Sequence, residues 1–351
     1  MKPSGIGGQA VMEGVMMKNG DEYAVAVRLP NGKITVKKEE YKGIVKGKKL
    51  LNLPFIRGVF NFIDSMILGM KTLTYSADLA MEEEKAAVDG KVSDDTEKSG
   101  ETKEAKKAEK KGSDNSLMMT LTVVLAIAMA VGLFMVLPVL LAGLLRRFIT
   151  GSFLITLIEG LIRIGIFLLY VVLISKMEDI QRVFMYHGAE HKCINCIEHG
   201  LELNVENVKA SSRLHKRCGT SFLLIVMVVS VLVTMFVRIE TVWLRVLSRV
   251  ILLPVIAGVS YEVLKLAGRS ESPIIEAISK PGLAMQKLTT KEPDEQMIEV
   301  AMQSVESVFD WRAFISVEND SAACNNAADG VAGDGVGNDR TVVGEARDSE
   351  V

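Results

Sequence analysis

The run from Ser116 to Leu145 constrains this chain more than any other feature, because it consists almost entirely of Leu, Val, Ala and Met. It is long enough to cross the roughly 30 Å of hydrocarbon in a bilayer. A chain that is 49% hydrophobic yet 24% charged, with mean hydropathy +0.27, is too apolar for an ordinary soluble protein. The expected fold class is an α-helical integral membrane protein.

Three further runs support this reading. Phe153 to Ser175 is interrupted only by Glu159 and Arg163, four apart on one helical face, where they pair internally and turn toward the bundle rather than lipid. Ser221 to Val237 is a minimal third span. Trp243 to Leu266 is a fourth, kinked at Pro254 and carrying Arg245 and Arg249 near its start. A four-span membrane domain over residues 116–270 follows. Lysines concentrate before the first span and between Lys176 and Arg217, which predicts cytoplasmic termini and a cytoplasmic 176–220 loop. Met1 to Gly8 lacks the apolar core of a signal peptide. The net charge is −2, without a basic stripe interleaved with aromatics, so nucleic acid is not an expected partner. The bilayer is the expected partner, with homo-oligomerisation left open.

Outside the membrane domain, residues 1–50 read as a small β element. Tyr23–Arg28 and Lys33–Lys38 flank Asn31-Gly32, a turn pair that favours a tight hairpin. The preceding Gly7–Met17 stretch suggests close backbone packing rather than a plain strand. Residues 51–81 form an amphipathic segment bearing Arg57, Asp64 and Lys71. It is too polar to span, and lies at the interface, packs on the bundle or covers the hairpin as a soluble helix. Residues 82–115 read as a charged flexible linker, 271–316 as a cytoplasmic helical segment with periodic Ile298, Ala301, Val305, Val308 and Phe309, and 317–351 as a disordered acidic tail.

All four histidines and three of the four cysteines fall between His187 and Cys218. A reducing cytoplasm disfavours a disulfide framework, so these cysteines read as metal ligands, redox thiols or bystanders. His187, Glu190 and His191 have the spacing His-x-x-Glu-His, which places two imidazoles and a carboxylate on one helical face. Two neutral imidazoles can hold Zn²⁺ while Glu190 acts as general base. His215 and Cys218, again three apart, can complete a tetrahedral set; if both ligate, no position remains for water and the site becomes structural. His199 and Glu198 read as ordinary loop residues, with Glu198 at most supporting a histidine. Cys193 and Cys196 have redox spacing but lack a βαβ setting, and Cys324 lies in the tail. Glu262, beside Tyr261, is a further ligand, a partner of a histidine or an interfacial acid.

Five separated strings resemble the YqhQ-like bacterial membrane proteins, a family of unknown function regarded as predicted metal-dependent enzymes. They are Gly7 to Met17, Tyr186 to Lys192, His215 to Phe222, Tyr261-Glu262 and Leu288 to Pro293. The likeness runs from about Gly7 to about Trp311. It implies a bacterial inner-membrane location and a metal site at His187, His191, His215 and Cys218, without an established substrate. Cys193 and Cys196 lie outside the shared pattern, and the charged linker and acidic tail look peculiar to this chain. The expected function is a zinc-dependent hydrolase, Fe²⁺ or Co²⁺ suiting the same nitrogens. The competing expectation is a non-catalytic scaffold or assembly protein with a structural metal. Metal sensing or transport stands behind both, because the Glu159/Arg163 pair looks internally neutralised.

Overall fold

The computed structural model describes residues 3–46, 49–92, 120–145, 147–149, 151–237, 239, 241–267 and 272–317. Four antiparallel strands, β1 (Gly7–Val11), β2 (Gly14–Asn19), β3 (Glu22–Arg28) and β4 (Ile34–Glu40), form a meander in the order β1-β2-β3-β4. The expected hairpin is its second half. Ile34 pairs with Arg28, but the connection is a five-residue loop in which only Gly32 takes positive φ, +83°, so it is not a tight two-residue turn. Gly7–Met17 packs closely, as a Cβ on Gly14 would lie 2.2 Å from the Ala26 oxygen, but it is regular strand: β1 and β2 join through Met12-Glu13, with Val11 opposite Gly14.

The reason lies in what covers the sheet. Val15, Met17, Ala24 and Ala26 face one core together with Tyr186, Ile194, Ile197, Ile298 and Val305. Val11, Met16, Tyr23, Val25 and Val27 face another, closed by Leu68 with Tyr75 and Leu79 against it. A sheet buried on both faces reads as continuous apolar sequence instead of alternating.

The helix on that second face is α1 (Ile56–Val92). It continues past residue 81 into the segment read as linker; residues 93–115 of that segment lie outside the described residues. Its start packs against α7 (Val242–Ala267) at two glycines, where a Cβ on Gly58 would meet Tyr261 and one on Gly258 the Phe55 carbonyl. Further along, Ser76 Oγ accepts from the Met12 amide, and Asp64 accepts from Tyr41 and the Ile44 amide. The segment therefore both packs on the bundle and covers the sheet.

Three helices are long and apolar enough to cross a membrane: α2 (Thr120–Leu145), the stretch Phe153–Ile174 of α3 (Ser152–Ile174), and Trp243–Ala267 of α7. A fourth apolar helix, α6 (Gly219–Met235), is shorter. Glu159 and Arg163 are buried and bonded to one another. The two charges cancel, but Arg249 and Arg245 also close on Glu159, so the cluster as a whole carries excess positive charge.

The segment between the second and third apolar helices is corrected from loop to helix. Residues 178–198 form α4 (Glu178–Glu198) and 205–210 form α5 (Val205–Ala210). C-terminal to α7 come α8 (Pro273–Thr289) and α9 (Glu295–Val308), with residues 311–317 also helical. Ile298, Ala301, Val305 and Val308 lie on the buried face of α9. The proposed tail beyond residue 317 lies outside the described residues.

The connection from α8 to α9 crosses α4 at Gly188. The Lys291 amide donates to the Phe184 carbonyl at 2.9 Å, and a Cβ on Gly188 would lie 2.0 Å from the Lys291 oxygen. Backbone cannot yield as a flexible side chain does. Gly188→Ala is expected to destabilise the protein by about 1–3 kcal/mol or more, read as a fall in Tm of the detergent-solubilised chain; an unchanged melt refutes this contact.

Candidate metal centre

The site begins with a paradox in α4. From Gly188 to Glu198 every residue is buried, including Glu190, His191, Lys192, Asn195 and Glu198. Buried polar groups need partners, and Lys192 and Asn195 find theirs at the end of α5 and in the irregular chain after it. Lys192 Nζ donates to the Lys209 and Ser211 carbonyls, both at 2.9 Å, and pairs with Glu292. Asn195 Nδ2 donates to the Ser212 and Leu214 carbonyls. The polar face of α4 supplies the donors that a non-helical backbone cannot find within itself.

The two histidines follow the same rule with one ring nitrogen each. His187 Nδ1 lies 2.8 Å from the Thr289 carbonyl oxygen and His191 Nδ1 2.6 Å from that of Arg213. A carbonyl only accepts, so each Nδ1 carries the proton and each Nε2 presents a lone pair. That is the tautomer a metal requires, fixed by backbone.

The third donor is Cys218, the N-cap of α6, whose Sγ accepts from the Thr220 amide and contacts Thr220 Oγ1 at 3.1 Å. His187 Nε2 lies 3.2 Å from this sulfur, and the ligand atoms of His187, His191 and Cys218 all lie within 4.8 Å of one another. Around a tetrahedral zinc, with bonds near 2.0–2.3 Å, neighbouring donors stand ~3.5 Å apart. The His187–Cys218 pair stands near this separation and the whole set within 4.8 Å, close enough for the three side chains to converge on such an ion.

Of the four expected ligands, three come together. The fourth, His215, is turned away: its Nε2 lies 3.4 Å from Glu198, and its backbone is clasped by the Gln286 amide. The chain before Cys218 is extended at the N-cap, so three-residue spacing does not bring His215 and Cys218 onto one helical face. Glu190 takes the fourth side instead. Its Oε2 lies 3.5 Å from His191 Nε2 and 3.9 Å from His187 Nε2. Burial raises the Glu190 carboxyl above its ordinary range, opposed by the charges of His187 and His215 and by the Gly8 amide. Strand β1 closes over this acid, since a Cβ on Gly8 would lie 2.7 Å from Glu190 Cγ.

Glu198 is no ordinary loop residue. The Ser4 amide and hydroxyl both donate to its Oε1 at 2.8 Å, and Arg217 pairs with the same oxygen. Burial alone would raise its carboxyl, but the bonds from His215 and Ser4 and the charge of Arg217 outweigh it and hold the group at about 2. His199 sits at the end of α4 with Nδ1 on the Asn195 carbonyl. Glu262 is engaged by Arg57 at 2.6 and 2.8 Å, not by a histidine. Burial pushes the Cys196 thiol up to about 11 and that of Cys193 well above its usual range, leaving both protonated and poor redox nucleophiles. Thr289, Arg213 and Gln286 are site residues the sequence reading missed. Two act through backbone carbonyls, which carry no residue signature, although Thr289 lies within the Leu288–Pro293 string.

Fold and site together define a mostly helical protein with three helices suited to a membrane, a covered antiparallel sheet and a largely buried His₂Cys group able to hold a metal. The chain belongs to the family described as "Protein of unknown function (DUF1385)", whose profile matches residues 53–311. It is 36% identical over 326 residues to the uncharacterized protein YqhQ of Bacillus subtilis, an alignment covering 92% of this chain and 98% of that one. No solved structure matches.

Glu198 has a folded pKa of about 2, below the ~4.3 of an unfolded glutamate. Its stabilisation is therefore fully present above pH ~4.3 and is lost as pH falls toward 2. Glu198→Gln should lower Tm most at neutral pH, with the gap to wild type narrowing in acid; a pH-independent gap refutes the role assigned to this carboxylate.

Proposed function

We propose that this is a multi-pass protein of the bacterial cytoplasmic membrane, with α2, α3, α6 and α7 as four spans and both termini and the metal centre on the cytoplasmic side. Lysine distribution supports the orientation. The surface of α1 supports an interfacial position. Its side toward the sheet carries Leu68 together with buried Asp64 and Ser76, whereas Ile63, Met66, Ile67 and Met70 are exposed on another side. A helix that keeps a second, uncovered apolar face suits a lipid boundary.

The centre is read as a zinc-dependent hydrolytic site. The observation that carries this is the set of exactly oriented donors: two Nε2 atoms and one Sγ converge, with the carboxylate of Glu190 beside both imidazoles. Three protein ligands leave a position open, as in catalytic zinc sites. Bound Zn²⁺ supplies Lewis acidity at that position. Glu190 is placed to take a proton from a water molecule between the two imidazoles, and its raised affinity for protons suits that task. Glu198 holds His215 and Arg217 next to the ligand histidines, whose rings approach His215 to 5.7 Å at His191.

A second reading has its own observation. Glu190 is only 4% exposed and is capped by β1, so it can serve as fourth ligand and close the shell, making the metal a staple between α4 and α6. Elemental analysis of the purified full chain should find about one zinc per protein, lost in His187→Ala and His191→Ala and retained in Glu190→Gln. Azide added to the Co²⁺-substituted protein then separates the readings. A shifted visible spectrum in wild type shows an open position and supports the hydrolase; an unchanged one, appearing only after Glu190→Gln, supports the staple. Absence of metal from wild type overturns both.

A further inference from the structure

A second group of charges lies deep in the apolar bundle and is not used by the metal centre. Arg163 of α3 donates through Nη2 to Glu159 at 3.1 Å, through Nε to the Phe134 carbonyl at 3.1 Å, and through Nη1 to Ser230 Oγ at 3.4 Å. Phe134 belongs to a wide π-type turn, Gly132–Val136, inside α2. Arg249 of α7 reaches the same carboxylate oxygen through Nη2. Arg245 stands 3.6 Å from the other oxygen and also donates to the Ile239 carbonyl.

The charges do not balance. Even with Arg245 set aside, two guanidinium groups share one carboxylate. Among the described residues of α2, α3, α6 and α7, the only other acid is Glu262, which Arg57 holds. Arg249 is 4% exposed, and its Nε and Nη1 have no acceptor. Buried guanidinium groups that share one carboxylate and keep idle donors are a costly arrangement that a bound anion relieves.

We propose that Arg163 and Arg249, arranged around Glu159, bind a phosphate-class oxyanion within the bundle. Guanidinium nitrogens match phosphate oxygens in geometry and bond them with charge assistance, which favours this class over a spherical halide. Glu159 positions the two arginines and limits affinity by competing for them. Arg249 lies in the third turn of α7 and Glu159 in the third turn of α3, about 10 Å from the helix starts, a depth reachable by free phosphate or by the phosphate of a lipid headgroup. The site is independent of the metal reading.

The test uses the full chain in mild detergent, titrated with sodium phosphate and separately with dihexanoyl phosphatidylglycerol, each against sodium chloride at equal ionic strength. Saturable binding of either probe, seen by calorimetry and as a rise in Tm, is expected. Binding of inorganic phosphate assigns a soluble oxyanion, and binding of the lipid probe alone assigns a headgroup. Arg249→Gln should weaken binding by about tenfold or more. Glu159→Gln should strengthen it by about threefold or more, because it removes the competing charge. The opposite signs distinguish a ligand site from a merely structural cluster, which both variants would damage alike. If Arg249→Gln does not elute as a single species, Glu159→Gln decides. No saturable binding to wild type beyond chloride, or unchanged or weaker binding in Glu159→Gln, overturns the proposal.

Discussion

The structure depends on one trade between a helix and an irregular chain. Segment 211–217 runs without a partner strand or a helix of its own, and each buried carbonyl left without a donor would cost about 1–3 kcal/mol. Lys192, Asn195 and His191 supply those donors from a single face of α4, and Arg213 ties the same segment to the end of α8 by donating to the Thr290 carbonyl. The metal geometry grows out of this trade. Lysine and asparagine spend their donors on carbonyls, and a histidine does the same while keeping a second nitrogen in reserve. Placing two histidines on such a face leaves two lone pairs with fixed directions, and the N-terminus of α6 then needs only to deliver Cys218.

Much of this was legible in the sequence, and the failures share a cause. His187, Glu190 and His191 were readable because four-residue spacing has a fixed meaning on a helix. His215 and Cys218 are likewise three apart, but that stretch is not helical until Gly219, so the same spacing does not bring His215 among the converging donors. The 176–220 segment looked like a loop because polarity ordinarily signals water, whereas here it faces carbonyls. In the sheet, Asn31-Gly32 marks a connection that is longer than a tight turn, whereas the two-residue turn lies at Gly20-Asp21, with Gly20 at φ +59°, and was passed over. The strands around it lack alternation because both faces are covered. Glu159 and Arg163 were correctly paired at four residues, but the arginines of α7 that join them are brought there only by packing.

Helix α6 connects the two charged regions. Its first residues carry Cys218 and Thr220 beside the metal donors, and Ser230, about 17 Å along the axis, meets Arg163. Ser221, one residue past Thr220, accepts from Gln286 of α8, and from Phe222 to Val229 the helix is apolar. One helix thus touches both charged regions, with only apolar packing between its two polar contacts.

The contact between Ser4 and Glu198 has a practical consequence. The Ser4–Gly8 stretch lies against the candidate centre: Ser4 is bonded to an acid of α4, and Gly8, a few residues on, lies against Glu190. A purification handle joined at that end adds bulk and charge within a few residues of the ligand histidines, and a polyhistidine handle adds competing imidazoles as well. Preparations meant for metal analysis are better captured through the opposite end of the polypeptide.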